Sequence, residues 1–460
     1  MPESYVFPKD FIWGAATASY QIEGAADLDG RKPSVWDTFS RRPGGVRTGE
    51  TGDIANDHYH RFDSDLALMA SLGIKHYRCS LAWPRIIPDG RGAVNEAGID
   101  FYKRLFDSCA KHGITPHVTL FHWDSPQALE DRYGSWRSRE IADDFADYVA
   151  VAVKRLGDRV SHWMTMNEIP CFTFLGYATK LSTGMHAPGT QVGSQKEVWQ
   201  TVHHALLAHG KAVQAIRANS PRPCTVSVVD NTSAAVPVSE SPADIAAARQ
   251  AMQDMWCNGN VIYPLLTGRY SDAFLRNKGA KGELPDIKAG DLEIIAQKLD
   301  GVGLNVYSGN YVRAAANAEG FETLELPPGY PRLDMPWLNF VPDAIYWAAR
   351  HVNETLGFKG DLFIAENGCA AQDHLNERGE VIDLDRIVYL RENLRQVHRA
   401  TAEGLPMKGY FVWSFMDNFE WTWGYAKRFG IVWNTYETQE RIPKQSAKWY
   451  AECIRQNRVV

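Results

Sequence analysis

Eight short apolar or β-branched runs recur along the chain, and a longer amphipathic segment separates most of them from the next. The runs are FIWGAATAS from Phe11, HYRCSLAW from His76, ITPHVTLF from Ile114, HWMTM from His162, CTVSVVD from Cys224, GVGLNVY from Gly301, LFIAENG from Leu362 and GYFVWSF from Gly409. Between them, segments such as RFDSDLALMASLG, GIDFYKRLFDSCAKHG, IADDFADYVAVAVKRLG and DAIYWAARHVNETLGF repeat apolar residues every three or four positions, and a Gly often stops the pattern. Strands that alternate with helices pair in parallel, because parallel neighbours need a crossover. Eight such units predict an α/β fold, a closed (β/α)8 TIM barrel, whose usual size of about 250 residues grows past 400 by loop insertion. The 460 residues therefore leave room for long βα loops. An open doubly wound sheet is the alternative, but the first run lacks the GxGxxG turn that marks a dinucleotide site. No charge run, Ser/Gly linker or low-complexity tract divides the chain, so residues 1–460 read as a single domain, with LELPPGYPRLDMPW as a long surface loop.

Charge and cysteine usage narrow the partners. Lys and Arg number 49 against 55 Asp and Glu, a net charge of −6, which gives no electrostatic reason to seek nucleic acid or an anionic membrane. A small neutral substrate is compatible with that balance. Seven Cys lie far apart, without a CxxC pair or metal-ligand spacing, and read as mostly buried thiols of a reducing compartment. The N-terminal MPESYVFPKDFIWG carries charges where a signal peptide needs an apolar stretch, and no run of 18 apolar residues occurs, so a cytoplasmic enzyme is the expectation.

In such a barrel the site forms at the C-terminal ends of the strands. The fourth run ends in Asn167-Glu168 and the seventh in Glu366-Asn367-Gly368, so each places a carboxylate at the mouth. The third run ends in His122-Trp123, the sixth in Asn305-Val306-Tyr307, the second contains Arg78, and the eighth passes Trp413 before Asp417-Asn418-Phe419-Glu420-Trp421. Two carboxylates facing one another are what hydrolysis of an acetal needs, and indoles and amides suit a sugar's C–H face and hydroxyl rim. Taken singly, each Glu reads equally as a helix-start charge and His122 as a structural histidine. His203, His204 and His209 are poorly spaced for a shared metal and read as helix surface and packing. Asp57, His58 and His60 read as a helix cap, and Trp13, Trp83, Trp163, Trp347 and Trp449 as core.

Longer segments carry a resemblance. FIWGAATASYQIEG, SVWDTF, DGRGAVNEAGIDFY, TLFHWDSPQAL, TMNEIP, GVGLNVYS, IAENG and WSFMDNFEWTWGYAKRFGIVW occur in this order on the strands expected, and with them the chain resembles glycoside hydrolase family 1, the β-glucosidase and β-glycosidase family. The resemblance implies a retaining, exo-acting hydrolase of β-glucosides that needs no cofactor or metal. It implies Glu168 as general acid/base and Glu366 as nucleophile, with Arg78, Tyr307 and Asn305 in the shell of the nucleophile. It implies a sugar-binding set of Gln21, His122, Trp123, Asn167, Asn305, Tyr307, Glu420, Trp421 and Phe429, with Trp413 beneath the ring and Trp337 toward the leaving group. Ile169 stands where Pro usually follows the acid/base, Val306 replaces the first Tyr of an Asn-Tyr-Tyr, and Ala365 replaces a Thr. None of these removes a carboxylate. β-Fucosides and β-galactosides are further substrates compatible with this set. Two alternatives share the resemblance: a 6-phospho-β-glycosidase, which the expected anionic Glu420 disfavours, and an inactive sugar-binding relative, which the two retained carboxylates disfavour. Lys427 and Arg428 are expected to be solvated or paired with acids.

Overall fold

The computed structural model describes residues 5–178, 186–255 and 258–460. Each of the eight runs forms a strand: β1 (Ile12–Ala16), β2 (His76–Ser80), β3 (Thr115–Thr119), β4 (His162–Asn167), β5 (Thr225–Asp230), β6 (Gly301–Asn305), β7 (Asp361–Asn367) and β8 (Met407–Trp413). Each pairs in parallel with its sequence neighbours, and β8 pairs with β1, so the barrel closes and leaves no edge. Helices α1 (His58–Ser71), α2 (Glu96–Lys111), α3 (Ile141–Leu156), α4 (Gln195–Asn219), α5 (Pro242–Asp254), α6 (Ala344–Arg350), α7 (Leu384–Ala402) and α8 (Gln445–Gln456) alternate with the strands. Returns from helix to strand are short, as in residues 112–114, 157–161 and 220–224. Connections from strand to helix are long, as in 17–57, 306–343 and 414–444. The inserted chain thus gathers at one mouth of the barrel. Part of it folds into a three-stranded sheet of 235–237, 310–314 and 321–323.

Helix α3 shows how sequence makes this frame. Ile141, Phe145, Tyr148, Val149, Ala152 and Leu156 recur at three and four and are all buried. Asp143 and Asp144 in its first turn and Lys154 and Arg155 in its last complement the helix dipole. The Tyr148 ring stacks on Trp83 at 5.0 Å and its hydroxyl donates to the Leu120 carbonyl, so one residue joins helix to barrel through both its apolar body and its polar tip.

Trp13, Trp83, Trp163 and Trp347 are core, as expected, while Trp449 is partly buried and donates its Nε1 proton to the Val460 carbonyl. Two expectations are corrected. His203, His204 and His209 are buried and do not lie on the surface of α4: His203 bridges the Tyr270 hydroxyl and Asp291, and His209 meets Thr165 of β4, because α4 is covered on more than one side. Asp57 precedes α1 but its side chain caps nothing; its carboxylate is taken up by His60 and Arg61, and His58 pairs with Asp65. Cys79, Cys109, Cys171, Cys369 and Cys453 are buried thiols and Cys224 is partly buried; Cys257 lies outside the described residues. Among the described residues no helix is long and apolar enough to cross a membrane, and no cluster of three His, Cys, Asp or Glu side chains could hold a metal ion.

A buried ionic cluster anchors the last insertion. Lys444 donates to Asp417 at 2.7 Å and to Asp373 at 2.5 Å, Arg386 pairs with Asp373 and Asp383, and Arg428 pairs with Asp417. Asp417 also accepts from the Gly430 amide, and Asp383 from the Ser446 amide. Three acids and three bases thus neutralise one another while tying the starts of α7 and α8 to the segment that carries Glu420, Trp421 and Phe429. Lys444→Met would leave two buried carboxylates short of their shared cation, and breaking such a pair costs about 3–5 kcal/mol. Calorimetry should show a clear fall in Tm, and an unchanged Tm would mean that the cluster contributes nothing net.

Candidate active site

The two acids arrive at the mouth through local irregularity. Pairing of β4 with β5 shifts register between Met164 and Asn167, and pairing of β7 with β6 shifts between Ile364 and Glu366. A bulge at a strand end re-aims the side chains that follow it. Glu168, the first residue beyond β4, holds a left-handed backbone with φ 47°, its amide bonded to the Val229 carbonyl at 2.9 Å. Trp123 (φ 76°) and Trp421 (φ 48°) are held likewise. Non-glycine residues there cost on the order of 1–3 kcal/mol each, and such strain collects at functional sites. Pro170 falls in the first turn of the short helix Ile169–Thr173, where its lack of an amide proton is harmless; the proline displaced by Ile169 is therefore supplied one position later. Beyond β7, a Cβ on Gly368 would lie 1.6 Å from the Trp413 carbonyl oxygen, so only glycine lets this strand end approach β8.

Asn167 is the hub between the acids. Its Oδ1 accepts from Arg78 at 2.7 Å and from Asn305 at 3.1 Å, which turns its Nδ2 toward His122 Nε2 at 3.2 Å. Burial and the Arg78 charge hold His122 well below the usual histidine range, so the ring is neutral. With Nε2 accepting, the proton sits on Nδ1, which has no protein partner. The Trp123 indole donates to the Asn167 carbonyl at 2.9 Å, fixing the next ring of the wall.

The acids sit in contrasting surroundings. Glu366 accepts from Arg78 at 2.5 Å on one oxygen and from the Tyr307 hydroxyl at 2.7 Å on the other. Burial and the Glu366 charge keep Tyr307 well above the usual phenol range, so it remains a donor. Glu168 accepts from Asn305 at 2.6 Å and from the Cys171 thiol at 3.0 Å. Burial first, and the negative charge of Glu366 second, push Glu168 upward from the ordinary carboxyl range, against the pull of those donors and of Arg78. Asn305 is paired with Glu366 across β6 and β7, and its amide reaches Glu168 and the hub.

Both acids open into a cavity of about 440 Å³ at the C-terminal mouth. His122, Trp123, Asn305, Tyr307, Trp337, Trp413, Glu420, Trp421 and Phe429 line it with them. Trp337 is 48% exposed at the rim, edge-on to Tyr307 at 5.7 Å, whereas Trp413 and Trp421 are buried. Arg78, Asn167 and Gln21 stand behind the wall; Gln21 donates to Asn418 and to the Phe419 carbonyl, and its Oε1 has no protein partner. Glu420 Oε2 is likewise buried without one. Burial, and then the charges of Glu366 and Glu168, raise Glu420 to about 8, so the pocket works against the anion expected from the sequence and favours its neutral carboxyl. Lys427 and Arg428 are paired with Asp334 and Asp417, as expected, and no lysine or arginine among the described residues lines the cavity. Sequence reasoning missed Cys171, His186, Asn231, Met335 and Trp423, which also line it. Cys171 was findable, since it lies three positions after Glu168, and so was Asn231, the first residue beyond β5; His186, Met335 and Trp423 come from loops with no strand end to mark them.

The family model for Glycosyl hydrolase family 1 matches residues 3–459. The chain is 42% identical to a 1,4-β-D-glucan glucohydrolase of Thermotoga neapolitana over 98% of both chains. It is 40% identical to a bifunctional β-D-glucosidase/β-D-fucosidase of Bifidobacterium breve, again over 98% of both. A β-glucosidase from Thermotoga maritima, solved in complex with glucoimidazole, superposes with a TM-score of 0.88 at 42% identity, covering 98% of this chain and 99% of that one. The closed barrel, the paired acids at its mouth and a match along nearly the whole sequence agree, and the chain belongs to glycosyl hydrolase family 1.

Proposed function

We propose that the whole chain acts as one (β/α)8 domain, a retaining, exo-acting β-glycosidase and first of all a β-glucosidase, with Glu366 as nucleophile and Glu168 as general acid/base. The observation that carries this is the contrast between two carboxyls in one cavity. One is held by a guanidinium and a phenol, and the other is pushed toward its protonated form by burial and by its neighbour's charge. Glu366 attacks the anomeric carbon while Glu168 gives its proton to the departing oxygen. Once Glu366 is a neutral glycosyl ester, its charge no longer raises Glu168, which then serves as base for the incoming water. The His122 Nδ1 proton and Glu420 suit the sugar's hydroxyls and Trp413 its C–H face, with Gln21 Oε1 an unpartnered acceptor behind them. The substrate is a small β-glycoside. β-Fucosides and β-galactosides, which differ from glucosides at carbons 4 and 6, fit a set of this kind. A cytoplasmic location belongs to this reading, since the buried thiols of Cys79, Cys109, Cys369 and Cys453 suit a reducing compartment.

The 6-phosphoglycoside alternative fails on a different ground from charge at Glu420. A phosphate brings close to two negative charges into a cavity that holds the carboxyls of Glu168, Glu366 and Glu420 and that no lysine or arginine among the described residues lines, while the nearby Lys427 and Arg428 are engaged. kcat/KM for 4-nitrophenyl β-glucoside should exceed that for its 6-phosphate at least about a hundredfold, worth about 2.7 kcal/mol. Equal or faster turnover of the phosphate would promote the alternative.

The protonation cycle makes a second prediction. Glu366→Gln removes the charge that raises Glu168, so Glu168 should titrate at lower pH in the variant. Carbon NMR of glutamate-labelled protein would read this directly, and an unmoved Glu168 would mean that burial alone holds it up.

A further inference from the structure

Beyond the two acids, one thiol touches the reacting machinery. Cys171 lies in the short helix Ile169–Thr173, its amide bonded to the Glu168 carbonyl, and its side chain lines the cavity. The sulfur sits 3.0 Å from Glu168 Oε2, close for a thiol donor. On its other side, Asn231 Nδ2 donates to the same sulfur at 3.4 Å. An accepted proton on that side leaves the single S–H to aim at Glu168, while Asn305 occupies the other carboxyl oxygen.

We propose that Cys171 is a positioning residue for the acid/base: its S–H, oriented by Asn231, holds Glu168 Oε2 and favours the ionised form that exists after proton delivery and during attack by water. The inference rests on the assignment of Glu168 made above. Other charged or titratable groups also face Glu168: Glu366 on β7, Arg78 on β2, and Tyr307 and Glu420 on the segments after β6 and β8, with neutral His122 after β3. The charge of Glu366 opposes ionisation, and Arg78 favours it. Cys171 supplies the donor to Oε2, on the side away from the Asn305 amide.

The test is the pH dependence of kcat/KM, whose alkaline limb reports loss of the proton on Glu168 in the free enzyme. With phenyl β-glucoside, C171A should move that limb to higher pH by about half a unit or more, the scale of one weak hydrogen bond to a charged group. C171S restores a hydroxyl donor and should return the limb to the wild-type position or below it. A Glu168 that titrates higher is a poorer proton donor, so C171A should also lose about two- to threefold more rate on phenyl β-glucoside than on 2,4-dinitrophenyl β-glucoside, whose leaving group needs little protonation. An unmoved limb, with equal losses on both substrates, would reduce Cys171 to packing and overturn the inference. Glu168→Ala, followed with both substrates, separates the two readings. Its turnover of phenyl β-glucoside should fall far more than that of the dinitrophenyl substrate, and equal losses on both would overturn the acid/base assignment itself and the inference with it.

Discussion

A single buried guanidinium bridges the two strands that carry the acids. Arg78, from the middle of β2, gives one Nη to Glu366 near the end of β7 and the other to Asn167 at the end of β4. A charge so deep in the barrel is costly unless both its amino groups are taken, and here they are taken by the two residues whose placement the chemistry needs. From that bridge the rest is determined in steps. Asn167 turns its amide to His122, Asn305 spans Asn167 and Glu168, and Tyr307 closes the second oxygen of Glu366. The barrel supplies what such a network requires: strand ends fixed by ladder hydrogen bonds on both sides, with Arg78, Asn167 and Asn305 themselves buried.

The same low-polarity surroundings do the electrochemical work. Burial alone would push every carboxyl of the mouth toward its neutral form, and it does so for Glu168 and Glu420. Glu366 meets a guanidinium and a phenol, donors that neither of the other two has. Glu420 emerges with a role different from a fixed anion: as a buried neutral carboxyl with one oxygen unpartnered, it can both accept and donate to hydroxyls. The long insertions complete the site at a cost in strain. Trp123, Glu168 and Trp421 hold left-handed backbones, and the ionic cluster around Asp417 and Lys444 pins the segment on which Glu420, Trp421 and Phe429 stand.

Much of this was legible in the chain. All eight strands fall within the runs read from apolar and β-branched patterning or within two residues of them, because a strand buried on both faces has little freedom in composition. Glu168 and Glu366 were legible as strand-end residues, and the long segment matches named the remaining set. What escaped depends on contacts between residues distant in sequence. The burial of His203 and His209 follows from what packs over α4, and the contact of Asn305 with Glu168 follows from two register shifts that no periodicity shows. The upward shift of Glu420 follows from its burial and then from the charges that face it. Cys171 carried a spacing signal, three residues after Glu168, but a lone cysteine reads as core until its sulfur is seen beside a carboxyl oxygen.

The division of labour between the two carboxyls is the central claim, and chemical rescue tests it most directly. In Glu366→Gly, azide should enter the space left by the nucleophile and give the α-glucosyl azide from an aryl β-glucoside. In Glu168→Ala, an activated glucoside should still glycosylate Glu366, and azide should then give the β-glucosyl azide. Opposite anomers from the two variants are the predicted result; the same anomer from both, or the assignments reversed, would contradict it.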